Sequence, residues 1–117
     1  MSLESDLKTA LEVLCPRVFP DVAPMGTTRP YITWQQIGGE APAYVDNTVP
    51  DRRNAYVQIN VWDTTRAASN ALALQIEEAL ITHATLQARA QSALQATMDE
   101  DTDLRGCMQD FTIWALR

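Results

Sequence analysis

The run AYVQINVWD at positions 55–63 alternates without a break. Val57, Ile59 and Val61 fall on one side and Tyr56, Gln58, Asn60 and Trp62 on the other, which is the period of two of a half-buried β-strand. Asp63, Thr64 and Thr65 then offer side-chain oxygens suited to an N-cap, and RAASNALALQIEEALITHA behind them places Ala68, Leu72, Ile76, Ala79 and His83 on one helical stripe. At the start of the chain, Leu3, Leu7, Leu11 and Leu14 recur at spacings of four and three, with Glu4 and Asp6 where the helix dipole favours negative charge. Pro16 removes an amide donor and biases Cys15 away from helical geometry, so this first helix is predicted to end near Leu14 or Cys15.

A loop with Pro20, Pro24, Gly26 and Pro30 follows, and YITWQQI at 31–37, rich in β-branched and aromatic residues, predicts a strand stopped by Gly38-Gly39. Residues 38–54 mix glycine, proline and polar residues with no periodicity, longer than most hairpin connections and of the kind that often carries function. From Thr85 to Asp99 local propensity favours helix, whereas Leu94, Ala96 and Met98 alternate; a strand from Ser92 to Met98 is the expectation. After the acidic turn DEDTDLRG, the last run has Phe111, Ile113 and Ala115 facing one way and Met108, Asp110, Thr112, Trp114 and Leu116 the other, the second strand of a closing hairpin. The expected fold is α+β in the order α-β-β-α-β-β, a four-stranded, mostly antiparallel sheet with two helices packed on one face.

Composition agrees with this. At 117 residues, 46% hydrophobic and 21% charged, the chain has the size and make-up of a single domain over 1–117 that buries one core. It shows neither a leader peptide nor an apolar run long enough for a membrane span, which predicts a soluble protein with no membrane partner. The net charge of −6 repels phosphate backbones and argues against tight direct nucleic-acid binding. Cys15 and Cys107 form neither a CxxC pair nor a disulfide framework.

Catalytic chemistry finds no constellation here, and the expectation is a protein that is not an enzyme and takes no cofactor. The one histidine, His83, falls at the end of the second helix's apolar stripe and reads as packing or as a partner of the helix C-terminus. Both cysteines read as small apolar residues. Asp99, Asp101 and Asp103 alternate like calcium-loop ligands, but the sixth position is Leu104 instead of glycine and the twelfth is Asp110 instead of glutamate, so a solvated acidic turn is expected. Arg52 and Arg53 beside Asp51 form a charged cluster at the end of the long loop, a candidate contact point on a partner. Tyr56, Trp62 and Trp114 lie on nominally outer sheet faces, where large aromatics are either covered by another element or mark an interface.

PYITW in the first strand, RRNAYVQINVWD, the helix RAASNALALQIEEAL directly behind it and the terminal RGCMQDFTIWAL together resemble the tail-completion, tail-terminator and head-tail joining proteins of long-tailed phages. The resemblance spans most of the chain. It implies a structural protein that forms a ring, hexameric in that family, at the head-proximal end of the virion tail, stopping tube growth and presenting a surface to the head. The implied partners are other copies of the chain, the tail-tube protein and a head-completion or connector protein, with assembly in the bacterial host cytoplasm. By the same analogy the loop from Gly38 to Asn54, with Arg52 and Arg53, makes a subunit or tube contact, and Asp99, Asp101 and Asp103 line the channel. Two alternatives stand beside it: a connector or adaptor elsewhere in the head-tail joint, and a small ligand-binding regulatory α+β domain.

Overall fold

The computed structural model describes residues 3–41, 45–100 and 103–116. Its elements run α1 (Leu3–Glu12), β1 (Val18–Pro20), β2 (Tyr31–Gly38), β3 (Arg52–Asp63), α2 (Arg66–Ile81), β4 (Arg89–Ala90), β5 (Gln95–Asp99) and β6 (Leu104–Leu116). The α+β class and its two helices agree with the expectation, but the sheet is mixed and has six strands, not four. Its order is β1-β2-β3-β6-β4, with β5 also pairing to β6. Each predicted strand is present. The two additions, β1 and β4, are three and two residues long, too short for any alternation to register in sequence.

β1 exists because the proline-rich loop returns alongside β2 in parallel, with Val18 opposite Ile32 and Pro20 opposite Trp34, and the Ile32 amide donating to the Arg17 carbonyl at 2.9 Å. Proline is tolerated there because an edge strand needs only one row of donors. β4 and β5 run in turn along the free side of β6: Arg89 faces Thr112 and Ala90 faces Phe111, and Gln95 then faces Met108. Four residues of one strand span two of the other at this break. Ser92 satisfies the groups that the break leaves unpaired, its carbonyl accepting from the buried Gln109 Nε2 at 2.9 Å and its hydroxyl from the Asp110 amide at 3.1 Å.

The centre of the molecule is the antiparallel pair β3 and β6, in register from Arg52 opposite Leu116 to Asp63 opposite Arg105. Strands of this length reach about 40 Å at roughly 3.3 Å per residue, and the body measures 52 × 25 × 24 Å. One face of the pair is the core: Val57, Ile59, Val61, Phe111 and Ile113 are all buried, together with Leu3, Leu7 and Leu11 of α1 and Leu72, Ile76 and Leu80 of α2. Alternation predicted this face correctly in both strands.

Three helix and strand details differ from expectation. α1 ends at Glu12, and the Leu14 and Cys15 amides both turn back to the Leu11 carbonyl at 3.0 Å, closing the helix ahead of Pro16. α2 is capped as predicted, Thr65 Oγ1 accepting from the Ala68 amide at 3.2 Å, but its buried stripe is Ser69, Leu72, Ala73, Ile76 and Leu80. Ala68, Ala79 and His83 are only half-buried, because the bulkier Leu80 lies on the sheet in place of Ala79. β5 begins at Gln95, not Ser92; Leu94 packs against the core, but Ala96 and Met98 lie exposed at the sheet edge, so their alternation does not mark a covered face.

Candidate functional site

The face of the sheet opposite the helices is the open one, and its chemistry changes along its length. Tyr31, Trp62 and Leu104 lie at one end, Gln35, Gln58, Asn60 and Asp110 in the middle, and Tyr56, Asn54 and Trp114 at the other, as the register of β2, β3 and β6 dictates. Six residues separate Tyr56 from Trp62 along β3, about 20 Å at ~3.4 Å per residue. Trp114 stands opposite Asn54 and is farther still. The three predicted interface aromatics therefore share a face, as expected, but do not form one patch. All three are half-buried.

Trp62 has a flat seat. A Cβ built on Gly106, its cross-strand partner, would lie 2.8 Å from Trp62 Cε3 and 2.9 Å from the Val61 carbonyl, so the indole rests on bare backbone where any other residue would displace it. Beside it, the loop from Asp21 to Pro30 closes over the sheet and forms a groove of about 580 Å3 whose lining includes Tyr31, Thr33, Asn60, Trp62, Val22 and Met25. That loop is tied down at both ends. The Asp21 amide donates to the Trp34 carbonyl at 2.8 Å, and Arg17 Nε to the Pro30 carbonyl at 2.8 Å.

Asp21, Asp99 and Arg29 give the groove its charges. Burial, aided by the Asp99 carboxylate and opposed by Arg29, raises the Tyr31 phenol above its ordinary value of 10.0. A groove of this volume lies in the range of small-ligand sites, but such sites enclose most of their ligand. Here Met25 is 103% and Val22 77% exposed, so the wall stands in solvent and presents apolar surface outward.

At the far end, the Gly38–Asn54 segment leaves the sheet. Gly39 is held at φ 155° with the Asn54 carbonyl 2.5 Å from where its Cβ would be, and Asn54 Oδ1 accepts from the Glu40 amide at 2.8 Å. Farther out, Asp46 Oδ1 accepts from the Thr48 amide at 3.2 Å and from its hydroxyl at 2.8 Å, an Asx turn with Asn47 at φ 62°. Those bonds hold the Asp46 carboxyl below its ordinary value. Residues 45–49 are all exposed, with Val45 at 104% and Val49 at 71%.

Arg52 and Arg53 are not loop residues but the first two of β3, half-buried, with Arg53 Nη2 donating to Gln36 Oε1 at 3.3 Å. Of the acidic trio, Asp99 lines the groove, Asp103 pairs with Arg105 at 2.9 Å, and Asp101 lies outside the described residues. The described members face different surroundings and do not act as one acidic surface. His83 is half-buried, and its Nδ1 accepts from the Thr85 amide at 3.2 Å, in the turn that follows α2. Cys15 and Cys107 are buried free thiols; Cys107 also donates to Asn70 Oδ1 at 2.6 Å.

Sequence reasoning passed over Tyr31 and the Asp21–Pro30 loop, because the loop shows no periodicity and Tyr31 read as the start of a strand. One signal was present: a tyrosine directly after a proline-rich stretch, on the same alternation phase as the open face.

A family model described as tail completion protein gp17 matches residues 4–116. No curated protein matches the chain in sequence. Among solved structures, a chain of the virion of a native gene transfer agent (GTA) particle is similar at 18% identity and a TM-score of 0.58, over 99% of this chain and 92% of that one. At that identity the likeness is one of fold.

Proposed function

The chain belongs to the family of tail completion protein gp17 and has a structural role in a phage tail, and from that premise we propose that it closes the head-proximal end of the tail tube as a ring. The ring is hexameric and joins the tail to a head-completion or connector protein. The protein acts by assembly, without catalysis, and is put together with its partners in the host cytoplasm. The observation that carries this reading is the family match from residue 4 to residue 116, which takes in every strand, all of α2 and α1 from its second residue on.

The shape supports it. A ring needs a heterologous contact, in which one patch meets a different patch on the next copy. This body is about twice as long as it is wide and carries unlike surfaces at the two ends of β3: a groove with aromatic and charged lining beside Trp62, and an exposed apolar arm ahead of Arg52. Neither sheet edge offers one long strand: the three-residue β1 covers only the start of β2, whose later part is shifted in register between Gln36 and Gly38, and the other edge breaks between β4 and β5 around Ser92. Interrupted edges disfavour open-ended strand addition. With Asp99 turned to the groove, the exposed Asp103 is the described residue left to border the channel, where carboxylates keep DNA phosphates from adhering.

Electron microscopy of particles made with this gene deleted, and with it restored in trans, tests the reading. Unjoined heads beside open or overlong tails, rescued by the wild-type gene, are the expected result. Normal virions from the deletion would overturn it.

A further inference from the structure

We propose that the groove over Trp62 on one copy receives the arm, residues 45–51, of the neighbouring copy, with Val45 and Val49 seated against Trp62, Val22 and Met25. The inference rests on the ring reading above and names its contact. Groove and arm both offer what a contact needs and neither can serve itself. Ten residues of β3 separate Arg52 from Trp62, about 33 Å at ~3.3 Å per residue, so an arm cannot reach the groove of its own chain.

The fit is chemical as well as geometric. Val22 and Met25 on the groove wall and Val45 and Val49 on the arm are apolar side chains left in water, and exposed apolar clusters on small soluble domains mark contact sites. The indole of Trp62, seated on Gly106, is a fixed platform. The arm is pre-shaped by the Asp46–Thr48 turn, which lowers the ordering cost of docking. Charges of both signs stand on each side: Asp21 with Arg29 on the groove, and Asp46 on the arm with Arg52 at its base. Opposite signs can therefore meet in both directions across the contact. Because the two surfaces differ, the contact is heterologous and repeats from copy to copy until the rotation closes.

Cysteine pairing in assembled particles tests the contact. Val49→Cys and Met25→Cys are exposed positions, and the native Cys15 and Cys107 are buried and do not compete. Oxidised particles carrying the double variant are expected to give a ladder of disulfide-linked oligomers on a non-reducing gel. Particles built from a mixture of the two single variants are expected to stop at dimers, and either single variant alone to stay monomeric. Closed, joined tails whose double variant yields only monomer would overturn the arm-in-groove contact while leaving the ring reading intact, as would dimers from either single variant alone. As a second measurement, Met25→Glu is expected to abolish joined tails and Val49→Lys in the same chain to restore them; unimpaired joining by Met25→Glu alone would also overturn the contact. Failure of the ring reading shows separately, as normal virions without the gene.

Discussion

β3 and β6 present two faces built from the same residues of backbone, yet the faces obey different rules. Toward the helices, Val57, Ile59, Val61, Phe111 and Ile113 are buried to within 2% and form one continuous core. Toward the open side, Tyr56, Gln58, Asn60, Trp62, Asp110 and Trp114 are half-buried and change character every few residues. A core face gains from uniformity, since buried apolar area adds without regard to which neighbour supplies it. A contact face gains from difference, because distinct patches let one copy recognise another in a single orientation. The strands thus hold the fold with one side and leave the other to carry information.

Truncation of the core should show this asymmetry at its strongest. Phe111 is 1% exposed at the centre of the core, and Phe111→Ala should cost about 3–5 kcal/mol, read as a lower denaturation midpoint with an unchanged slope. A loss under about 1 kcal/mol would mean that the helix face is not the seat of stability. Gly106→Ala comes next, at roughly 1–3 kcal/mol, because its methyl group meets the Trp62 ring and the Val61 carbonyl below 3 Å. Its fingerprint is a change in Trp62 fluorescence, most cleanly read with Trp34 and Trp114 replaced by phenylalanine. If emission and stability both stay put, the indole is not seated on that backbone.

The smallest expected effect is electrostatic and confined to the groove. Tyr31 is raised above 10.0 by burial first and by Asp99 second. Its folded form therefore holds the proton more tightly than the unfolded chain does. The stabilisation is fully present below the unfolded value and is lost as pH climbs through the folded one. Asp99→Asn removes one of the two causes, so tyrosinate absorbance should show the Tyr31 midpoint moving down toward 10.0, with little change in stability at neutral pH. A midpoint that stays or rises would separate Asp99 from Tyr31 and with it the charged rim of the groove.

Alternation and helical spacing were legible because each reports burial on one side of an element. Val57–Val61, Phe111–Ala115 and Leu3–Leu11 needed nothing more than their own neighbours in sequence to declare a buried face. The helix start at Thr65 was equally local, a hydroxyl three residues ahead of the amide it accepts from. What misled was pattern without burial: Ala96 and Met98 alternate, but both lie exposed at the sheet edge, where α2 arrives through Arg66, donating to the Thr97 carbonyl at 3.0 Å. The aromatic residues of the open face were found as residues and missed as an arrangement.

Local sequence thus carries the elements, their buried sides and the family motifs, since those depend on contacts between near neighbours along the chain. The parallel edge strand β1, the two-stranded edge on β6, the one-position roll of α2 and the groove beneath the Asp21–Pro30 loop were decided only in three dimensions. Each depends on which distant segment arrives alongside: Val18 at Ile32, Ala90 at Phe111, Leu80 on the sheet, and Gly106 beneath Trp62. Pairing of that kind is fixed by the packing of the whole chain, and no window of neighbouring residues contains it.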